Sequence, residues 1–417
     1  MEPSERRRDI AGVNGIRLRM DTNAHPSPLA QLDDAAAAFL QRIATSARDY
    51  LGAHVSFVAE LTPDAKLIRV TAGPADAAGL SVGTRFELDD TYCHRMLQGR
   101  LPEAIYDAGH DARSCDIPLT ARLGIDSYMG VPVQLPDGRV LGTLCCINFP
   151  PHPESRTRDL GVLRFLAGLV GVQLDESMRA HDLRMQRHDA IDAVLRRGGP
   201  GMVFQPIVSL DGRGAIGVEA LSRFNAPVHA APDVWFREAW AVGLGVDLEL
   251  CAVRNALPVL EQLPQGMFLS LNASPETVGR AEFMEAIARV DASRLVVEIT
   301  EHAAIDDYAP LLDAAKRLRD VGVRIAIDDV GAGYSSLRHV LQLAPDIAKL
   351  DMSLTRSVDG DPVKQALAIG MMAFAARTGV TVVAEGVETA AEADALRMAG
   401  VCYAQGFLFG LPDATLH

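Results

Sequence analysis

The sequence predicts a closed α/β barrel preceded by a smaller α+β domain. Three observations carry this. From residue 202 onward, apolar runs of strand length alternate with helical stretches, at 202–208, 216–221, 267–272, 294–299, 323–328, 346–351, 380–385 and 401–405. Before residue 150 the pattern is different, with strand-like runs, a hairpin signal and few helices. The length of 417 residues suits two domains. Repeated strand–helix units imply parallel strands. About eight of them in roughly 215 residues favour closure into a barrel, with an open doubly wound sheet as the alternative.

The elements follow in order. Residues 1–29 are polar, with Pro3, Pro26 and Pro28, and read as a disordered tail. Ala35, Phe39, Leu40, Ile43, Ala44, Ala47 and Leu51 recur at helical spacing. Strand-like runs cover Val55 to Leu61, Leu67 to Ala72 and Thr84 to Leu88, and a second helix covers Thr91 to Gln98. Tyr128 to Leu135 and Val140 to Ile147 form a hairpin, joined by Pro136-Asp137-Gly138-Arg139. The α+β domain spans 30–175. Residues 156–197 are mostly helical, with a stripe of Leu163, Leu166, Val170, Leu174 and Met178, then a charged stretch that Gly198-Gly199-Pro200 stops. The part from 176 to 200 is a linker, or a helix that pairs with a second copy. In the barrel half, 201–417, Ser274-Pro275 starts one helix. Thr389 with Glu392 is a capping box, and Gly400 ends that helix.

Composition narrows the function. The chain is 48% hydrophobic and 23% charged, an ordinary soluble balance. A net charge of −14 argues against binding a nucleic-acid polymer. Cys93, Cys115, Cys145, Cys146, Cys251 and Cys402 are scattered without zinc-finger spacing or a disulfide framework, so a reducing, cytoplasmic setting is expected. No apolar stretch has membrane-spanning length, and Arg6-Arg7-Arg8 is not followed by a secretory h-region.

Functional groups of such a barrel sit where strands end. Glu219, Asn272, Glu298, Asp328, Asp329, Lys349, Glu385 and Gln405 all lie at or near the ends of apolar runs. Any one of them has an ordinary explanation as a cap or turn residue. Five carboxylates converging on one mouth are costly without cations. Glu219, Asn272, Glu298, Asp328 and Asp329 offer only oxygens, which selects hard cations, Mg2+ or Mn2+, over zinc or copper. Four carboxylates balance two dications. Two such ions suit in-line attack of water on a phosphodiester. Lys349 fits near the water or a phosphate, and Arg223 can grip a phosphate with two hydrogen bonds. For both, a plain salt bridge is the competing explanation.

Here the residues reach a family. Residues 202–412 resemble the EAL phosphodiesterases, which hydrolyse cyclic di-GMP to linear pGpG. The matching segments are Gln205-Pro206-Ile207-Val208, Glu219-Ala220-Leu221-Ser222-Arg223, Asn272, Glu298-Ile299-Thr300-Glu301 and Asp328-Asp329-Val330-Gly331-Ala332-Gly333-Tyr334. Lys349-Leu350-Asp351, Ala384-Glu385-Gly386-Val387-Glu388 and Gln405-Gly406-Phe407 continue the match. The resemblance implies a TIM-like barrel of the EAL type. It implies that Glu219, Asn272, Glu298 and Asp328 hold one ion and Asp329 a second. Lys349 and Glu385 would place or activate the water, with Glu385 the general base. Gln405 would support the metal–water network, and Gln205, Arg223 and Gln405 would face substrate. Glu301 would tether the loop of Gly331 and Gly333, the region of regulation and dimer contact. A homodimer through this domain, and through the helical linker, is expected.

Three positions depart from the family pattern: Val330, where Phe is common, Phe224, where Trp is common, and Leu411, where Arg is frequent. They are not metal ligands, so an active enzyme is expected. The alternatives are a weak or inactive cyclic di-GMP receptor, which Val330 keeps open, and a barrel enzyme for another phosphodiester. No Gly-Gly-Asp-Glu-Phe cyclase signature occurs.

Residues 30–175 resemble a GAF sensor domain, through Leu88 to Cys93, Pro102 to Ala108, Gly130-Val131-Pro132-Val133 and Gly142-Thr143-Leu144-Cys145. The resemblance implies regulation of the barrel by a ligand that the residues do not identify. Cys115 precedes Asp116 and not His, against a covalent bilin. Cys93-His94 supplies two ligands at most, and Cys145 and Cys146 face opposite sides of one strand.

Overall fold

Residues 9–11, 17–19, 34–76, 78–149, 158–225, 230–299, 307–331 and 334–415 are described by the structure, a computed structural model. The chain divides into two units, Met1–Leu183 and Arg184–His417.

In the first unit, β1 (Asp9–Ala11) and β2 (Arg17–Arg19) pair antiparallel, with Ile10 opposite Leu18. This corrects the expectation of a tail with no structure. Helix α1 (Asp34–Leu51) buries Ala36, Leu40, Ile43, Ala44 and Ala47, one stripe at helical spacing. The main sheet follows: β3 (Val55–Leu61), β4 (Lys66–Ala72), β5 (Arg85–Phe86), helix α2 (Tyr92–Leu97), β6 (Ala104–Ile105), helix α3 (Pro118–Leu123), β7 (Ser127–Gln134) and β8 (Val140–Asn148). Its spatial order is β5-β4-β3-β8-β7-β6, antiparallel throughout. The β7–β8 turn uses Gly138 at φ 89°, as its Asp-Gly pair predicts.

Alternation along each strand gives this sheet two cores. Val58, Val131, Leu144 and Cys146 pack with α1 and with Leu163, Val170 and Leu174 of helix α4 (Arg158–Arg196). Phe57, Ile68, Tyr128, Cys145 and Ile147 face the other way, with Tyr92 and Cys93 of α2.

The second unit takes the end of α4, where Ile191 and Val194 are buried against Trp235, Ala239, Val242 and Leu248. Then come β9 (Gly201–Ser209), β10 (Gly214–Arg223), α5 (Pro232–Val242), α6 (Gly245–Ala256), β11 (Phe268–Ala273), α7 (Pro275–Val278), α8 (Ala281–Ile287) and β12 (Leu295–Ile299). They are followed by α9 (Ala309–Asp320), β13 (Arg324–Val330), α10 (Tyr334–Leu343), β14 (Ile347–Leu350), α11 (Met352–Thr355), α12 (Pro362–Thr378), β15 (Thr381–Ala384), α13 (Ala390–Met398) and β16 (Tyr403–Gln405).

Strands β9 to β16 close into a barrel, which removes the open-sheet alternative. Strands β10 to β16 run parallel in sequence order. The expectation of parallel strands throughout is corrected at β9, which is antiparallel to both β10 and β16. The reason is the link: residues 210–213 are too few for a crossover, and Asp211-Gly212 is a hairpin signal. Outward side chains such as Leu269, Leu271, Val297 and Ile325 pack under the helices. Inward ones, Ile207, Phe268, Val296, Ala326, Ile347 and Val383, fill the barrel floor. No helix among the described residues is long and apolar enough to cross a membrane.

Candidate active site

Strand period places the site. Two residues beyond a floor residue, on the same face of the same strand, stands a polar one. Val296 is followed by Glu298, Ala326 by Asp328, Ile347 by Lys349 and Val383 by Glu385. Phe268 leads through Ser270 to Asn272, and Ile207 pairs across to Gln405 while Gln205 pairs with Glu219. One turn of the barrel is therefore an apolar plug, and the next is a ring of acids and amides.

Lys349 is the centre of the ring and is 2% exposed. Its Nζ lies 2.6 Å from Glu298 Oε2, 2.6 Å from Glu385 Oε1, 3.2 Å from Asp328 Oδ1 and 3.4 Å from Glu219 Oε2. Burial works against its charge, but Asp328, Glu219, Glu298 and Glu385 outweigh that and hold the ammonium well above the usual lysine range. One cation does not balance the acids. Burial, with the charges of Glu219 and Asp328, pushes Glu298 up to about 8 against the pull of Lys349. Burial likewise pushes Glu385 well above the carboxylate range, with Lys349 opposing it.

Amides and a hydroxyl fix the acids. Asn272 Nδ2 donates to Glu219 Oε1 at 2.8 Å, and Gln405 Nε2 donates to Glu219 Oε2 at 2.7 Å and to Gln205 Oε1 at 3.0 Å. Ser270 Oγ donates to Glu298 Oε1 at 2.5 Å. Two buried oxygens, Asp328 Oδ1 and Gln405 Oε1, take no hydrogen bond. For Asp328 this holds although the Lys349 ammonium stands close by.

Adjacent residues of a regular strand point to opposite faces, yet Asp328 and Asp329 both turn toward Glu385 at the barrel mouth. A bulge explains this. Ile327 pairs with Ala348 and Val330 with Leu350, so two aspartates on β13 face Lys349 alone on β14. Asp329 takes φ 50°, a left-handed backbone that a non-glycine residue adopts at a cost. Oxygens of Asp328, Asp329 and Glu385 all lie within 4.8 Å of one another. Burial, with Asp328 and Asp351 beside it, raises the Asp329 carboxyl to about 6.

A cleft of about 230 Å³ opens over this cluster, lined by Gln205, Glu219, Asp329, Glu385 and Gln405. Met352, Arg356, Glu388 and Phe407 also line it and were not singled out as candidate site residues, although Glu388 and Phe407 stand within the matching segments. Arg356 pairs with Glu388, and only the fold brings these two together. Arg223, at the exposed end of β10, donates to the Ser222 carbonyl at 2.9 Å and is not part of the cleft lining. Gly331 has φ 111°, and a Cβ there would meet Leu354 at 2.2 Å, so the chain can turn after Asp329 only with glycine. Glu301 and Gly333 lie outside the described residues. The departures from the family pattern are accommodated: Val330 is buried in the main core, Phe224 stacks on Trp235 at 5.0 Å, and Leu411 is exposed.

Fold and site together define a barrel protein whose mouth gathers carboxylates around one lysine, with oxygen donors of the kind that suit hard cations. Residues 188–412 match the EAL domain family and residues 36–174 the GAF domain family. The chain belongs to the EAL domain family and carries an N-terminal GAF domain. It is similar to the cyclic di-GMP phosphodiesterase RocR of Pseudomonas aeruginosa, 32% identical over 235 residues, 51% of this chain and 57% of RocR. It is also 32% identical over 221 residues to the probable cyclic di-GMP phosphodiesterase PdeD of Escherichia coli, 50% of this chain and 40% of PdeD. The PaMucR phosphodiesterase, solved as a c-di-GMP complex, is 29% identical with a TM-score of 0.50, over 55% of this chain and 97% of that one. The FimX EAL domain of Xanthomonas citri, at 16% identity and a TM-score of 0.52 over 58% of this chain and 99% of that one, shares the fold. The chain spans between 35 and 57% of the length of the curated relatives it matches.

Proposed function

We propose that this chain is a metal-dependent phosphodiesterase that hydrolyses cyclic di-GMP to linear pGpG, under the control of its GAF domain. The observation that carries the reading is the convergence of Glu219, Glu298, Asp328 and Glu385 on Lys349 at the barrel mouth. The names of the similar proteins point to the same substrate.

The residues fit two Mg2+ or Mn2+ ions. The donors are all oxygen, Asp328 Oδ1 is buried without a hydrogen bond, and Glu298 and Glu385 are pushed up by burial and by the neighbouring acids. Glu219, Asn272, Glu298 and Asp328 would hold one ion and Asp329 a second. When bound, the ions supply charge neutralisation at the phosphate oxygens and a water that ionises near neutral pH.

The chain's own groups do the rest. Glu385, held at 2.6 Å by Lys349 Nζ, would be drawn back to its ionised form by bound cations and would then accept the proton of the attacking water. The water oxygen bonds to phosphorus, the bond from phosphorus to the 3′ oxygen breaks, that oxygen leaves as a hydroxyl with a proton from solvent, and the product keeps a 5′ phosphate. Gln405 keeps Glu219 and Gln205 in register for substrate. Arg223 shares the strand face of Glu219 and Leu221 and takes a phosphate at the rim. The assembly is a homodimer through the EAL domain. A second surface is α4, where Phe165, Leu169 and Val172 are exposed at helical spacing. A cytoplasmic setting completes the proposal, supported by six free cysteines.

The test is direct. The full chain is incubated with cyclic di-GMP and Mg2+ or Mn2+, and the products are resolved by chromatography. We expect pGpG that disappears with a chelator and in Glu219→Ala. Calcium, with its longer and looser coordination, supports no turnover. Tight binding without product under either metal would overturn the enzyme reading in favour of a receptor.

A further inference from the structure

The GAF domain buries a pair of thiols that the barrel chemistry does not use. Cys93 on α2 and Cys145 on β8 are both fully buried, with their sulfur atoms 3.3 Å apart. Cys145 Sγ also lies 3.3 Å from Thr143 Oγ1 and 3.6 Å from the Tyr128 hydroxyl. Beside them is an unusual cation. Lys66 is 3% exposed, and its Nζ lies 4.4 Å from the centre of the Phe57 ring and 5.4 Å from that of Phe86. No carboxylate among the described residues pairs with it. A buried ammonium without a counter-ion is costly, and its charge favours the ionised form of both thiols.

We propose that Cys93 and Cys145 form an oxidisable dithiol, a modification site in the GAF domain that hydrogen peroxide closes to a disulfide. The Cys93 thiolate attacks the peroxide oxygen, the O–O bond breaks, and the released hydroxide leaves as water with the proton Cys93 gave up. Cys93 is then a sulfenic acid. Cys145 sulfur attacks it, the S–S bond forms, the S–O bond breaks, and hydroxide leaves as water with the Cys145 proton. One peroxide oxidises two thiols and yields two waters.

Three features favour this chemistry. The sulfurs need only close from contact to the bonded distance of about 2.05 Å. Burial opposes ionisation of both thiols, but the contact with Cys145 and the charge of Lys66 pull Cys93 well below the thiol range, while Cys145 is pushed well above it. The Lys66 charge thus favours a thiolate in the pair, and the sulfur at 3.3 Å is placed to resolve the sulfenic acid it forms. Burial also selects the oxidant, since hydrogen peroxide is close to water in size and glutathione disulfide is not.

The test reads mass and needs no activity from the barrel. The reduced full chain is exposed to hydrogen peroxide, quenched, denatured, alkylated and mapped without reduction. We expect the peptide holding Cys93 linked to the one holding Cys145 and Cys146, two hydrogens lighter than their sum. The link survives Cys146→Ser, because that thiol faces the other core, and is lost in Cys145→Ser. Lys66→Met slows its formation about tenfold, whereas Lys66→Arg keeps most of the rate. Glutathione disulfide at equal oxidising equivalents leaves the pair reduced. Alkylatable Cys93 and Cys145 at a dose that has oxidised exposed Cys115 and Cys402 would overturn the proposal. So would a link that persists in Cys145→Ser, or one formed as fast by glutathione disulfide. Equal rates in the wild type and both Lys66 variants would remove Lys66 from it.

Discussion

Asp328 is one of four acids gathered on a single ammonium. Its buried Oδ1 accepts no hydrogen bond, and it shares one ammonium with Glu219, Glu298 and Glu385. Asp328→Asn removes one of these crowded charges at almost constant volume. We expect it to raise the stability of the metal-free chain by about 1–2 kcal/mol while abolishing turnover. Denaturant unfolding in chelator, set beside pGpG formation, checks both halves, and a loss of metal-free stability would contradict the crowding argument. Lys349→Met has the opposite sign. It strips the cation that Glu219, Glu298, Asp328 and Glu385 share and should cost about 3 kcal/mol or more. Divalent ions should restore more of that loss than they add to the wild type, because they bind the folded ring alone. Unfolding midpoints with and without Mg2+ decide this. The types and order of these residues were legible from strand ends alone. The bulge that lets Asp328 and Asp329 share one face was not, because it depends on the β13–β14 register and on φ 50° at Asp329.

At the scale of elements, α13 shows how a local sequence rule becomes a tertiary clamp. Thr389 and Glu392 form the capping box that their spacing predicts. Glu392 also reaches across the fold. Its Oε2 accepts from the backbone N–H groups of Glu388 and Thr389 at 2.9 and 3.0 Å, and its Oε1 accepts from Ser357 N at 2.7 Å. Burial opposes its charge, but these donors outweigh it and hold the carboxyl below its ordinary value. Since the folded value is the lower one, the stabilisation is present above the unfolded value of about 4.3 and fades as pH falls through the folded value. Glu392→Gln should therefore cost about 1–2 kcal/mol at neutral pH, and the gap should close in acid. Urea unfolding of the two proteins across that range is the check, and a gap that widens in acid would rule the clamp out. The cap and the positions of the eight barrel strands were readable because hydrophobic period and capping are local. The direction of β9 was readable too, from Asp211-Gly212, but the strand–helix rhythm overrode that signal. The short strand β6 and helix α3 lack a period long enough to register. The Arg356–Glu388 pair depends on chain closure, which no local pattern encodes.

At the scale of the molecule, the division falls inside one helix. α4 runs without a break from Arg158 to Arg196, yet the units part at Leu183 and Arg184. Its last turns belong to the barrel half: Ile191 is 1% exposed, Val194 8%, and Arg187 pairs with Glu238 at 2.7 Å. Asn255 Nδ2 then holds the Gly198 and Pro200 carbonyls at 2.7 and 2.9 Å, fixing the exit of the helix. A cut at residue 195, inside the 176–200 segment read from sequence as a linker, removes Ile191 and Val194 and uncovers Trp235 and Leu248. A cut before Arg184 keeps them. Burial of two such side chains is worth about 3–5 kcal/mol. We therefore expect the 184–417 fragment to unfold cooperatively, and the 196–417 fragment to be less stable by about that amount or not to fold. Equal stability of the two would mean that the end of α4 is a spacer. The longer fragment is also the fair test of regulation, because its site is intact and only the GAF domain is gone. If that domain gates the barrel, turnover of 184–417 differs from that of the full chain at saturating Mg2+, whereas a change seen only in 196–417 reports lost packing and not lost control.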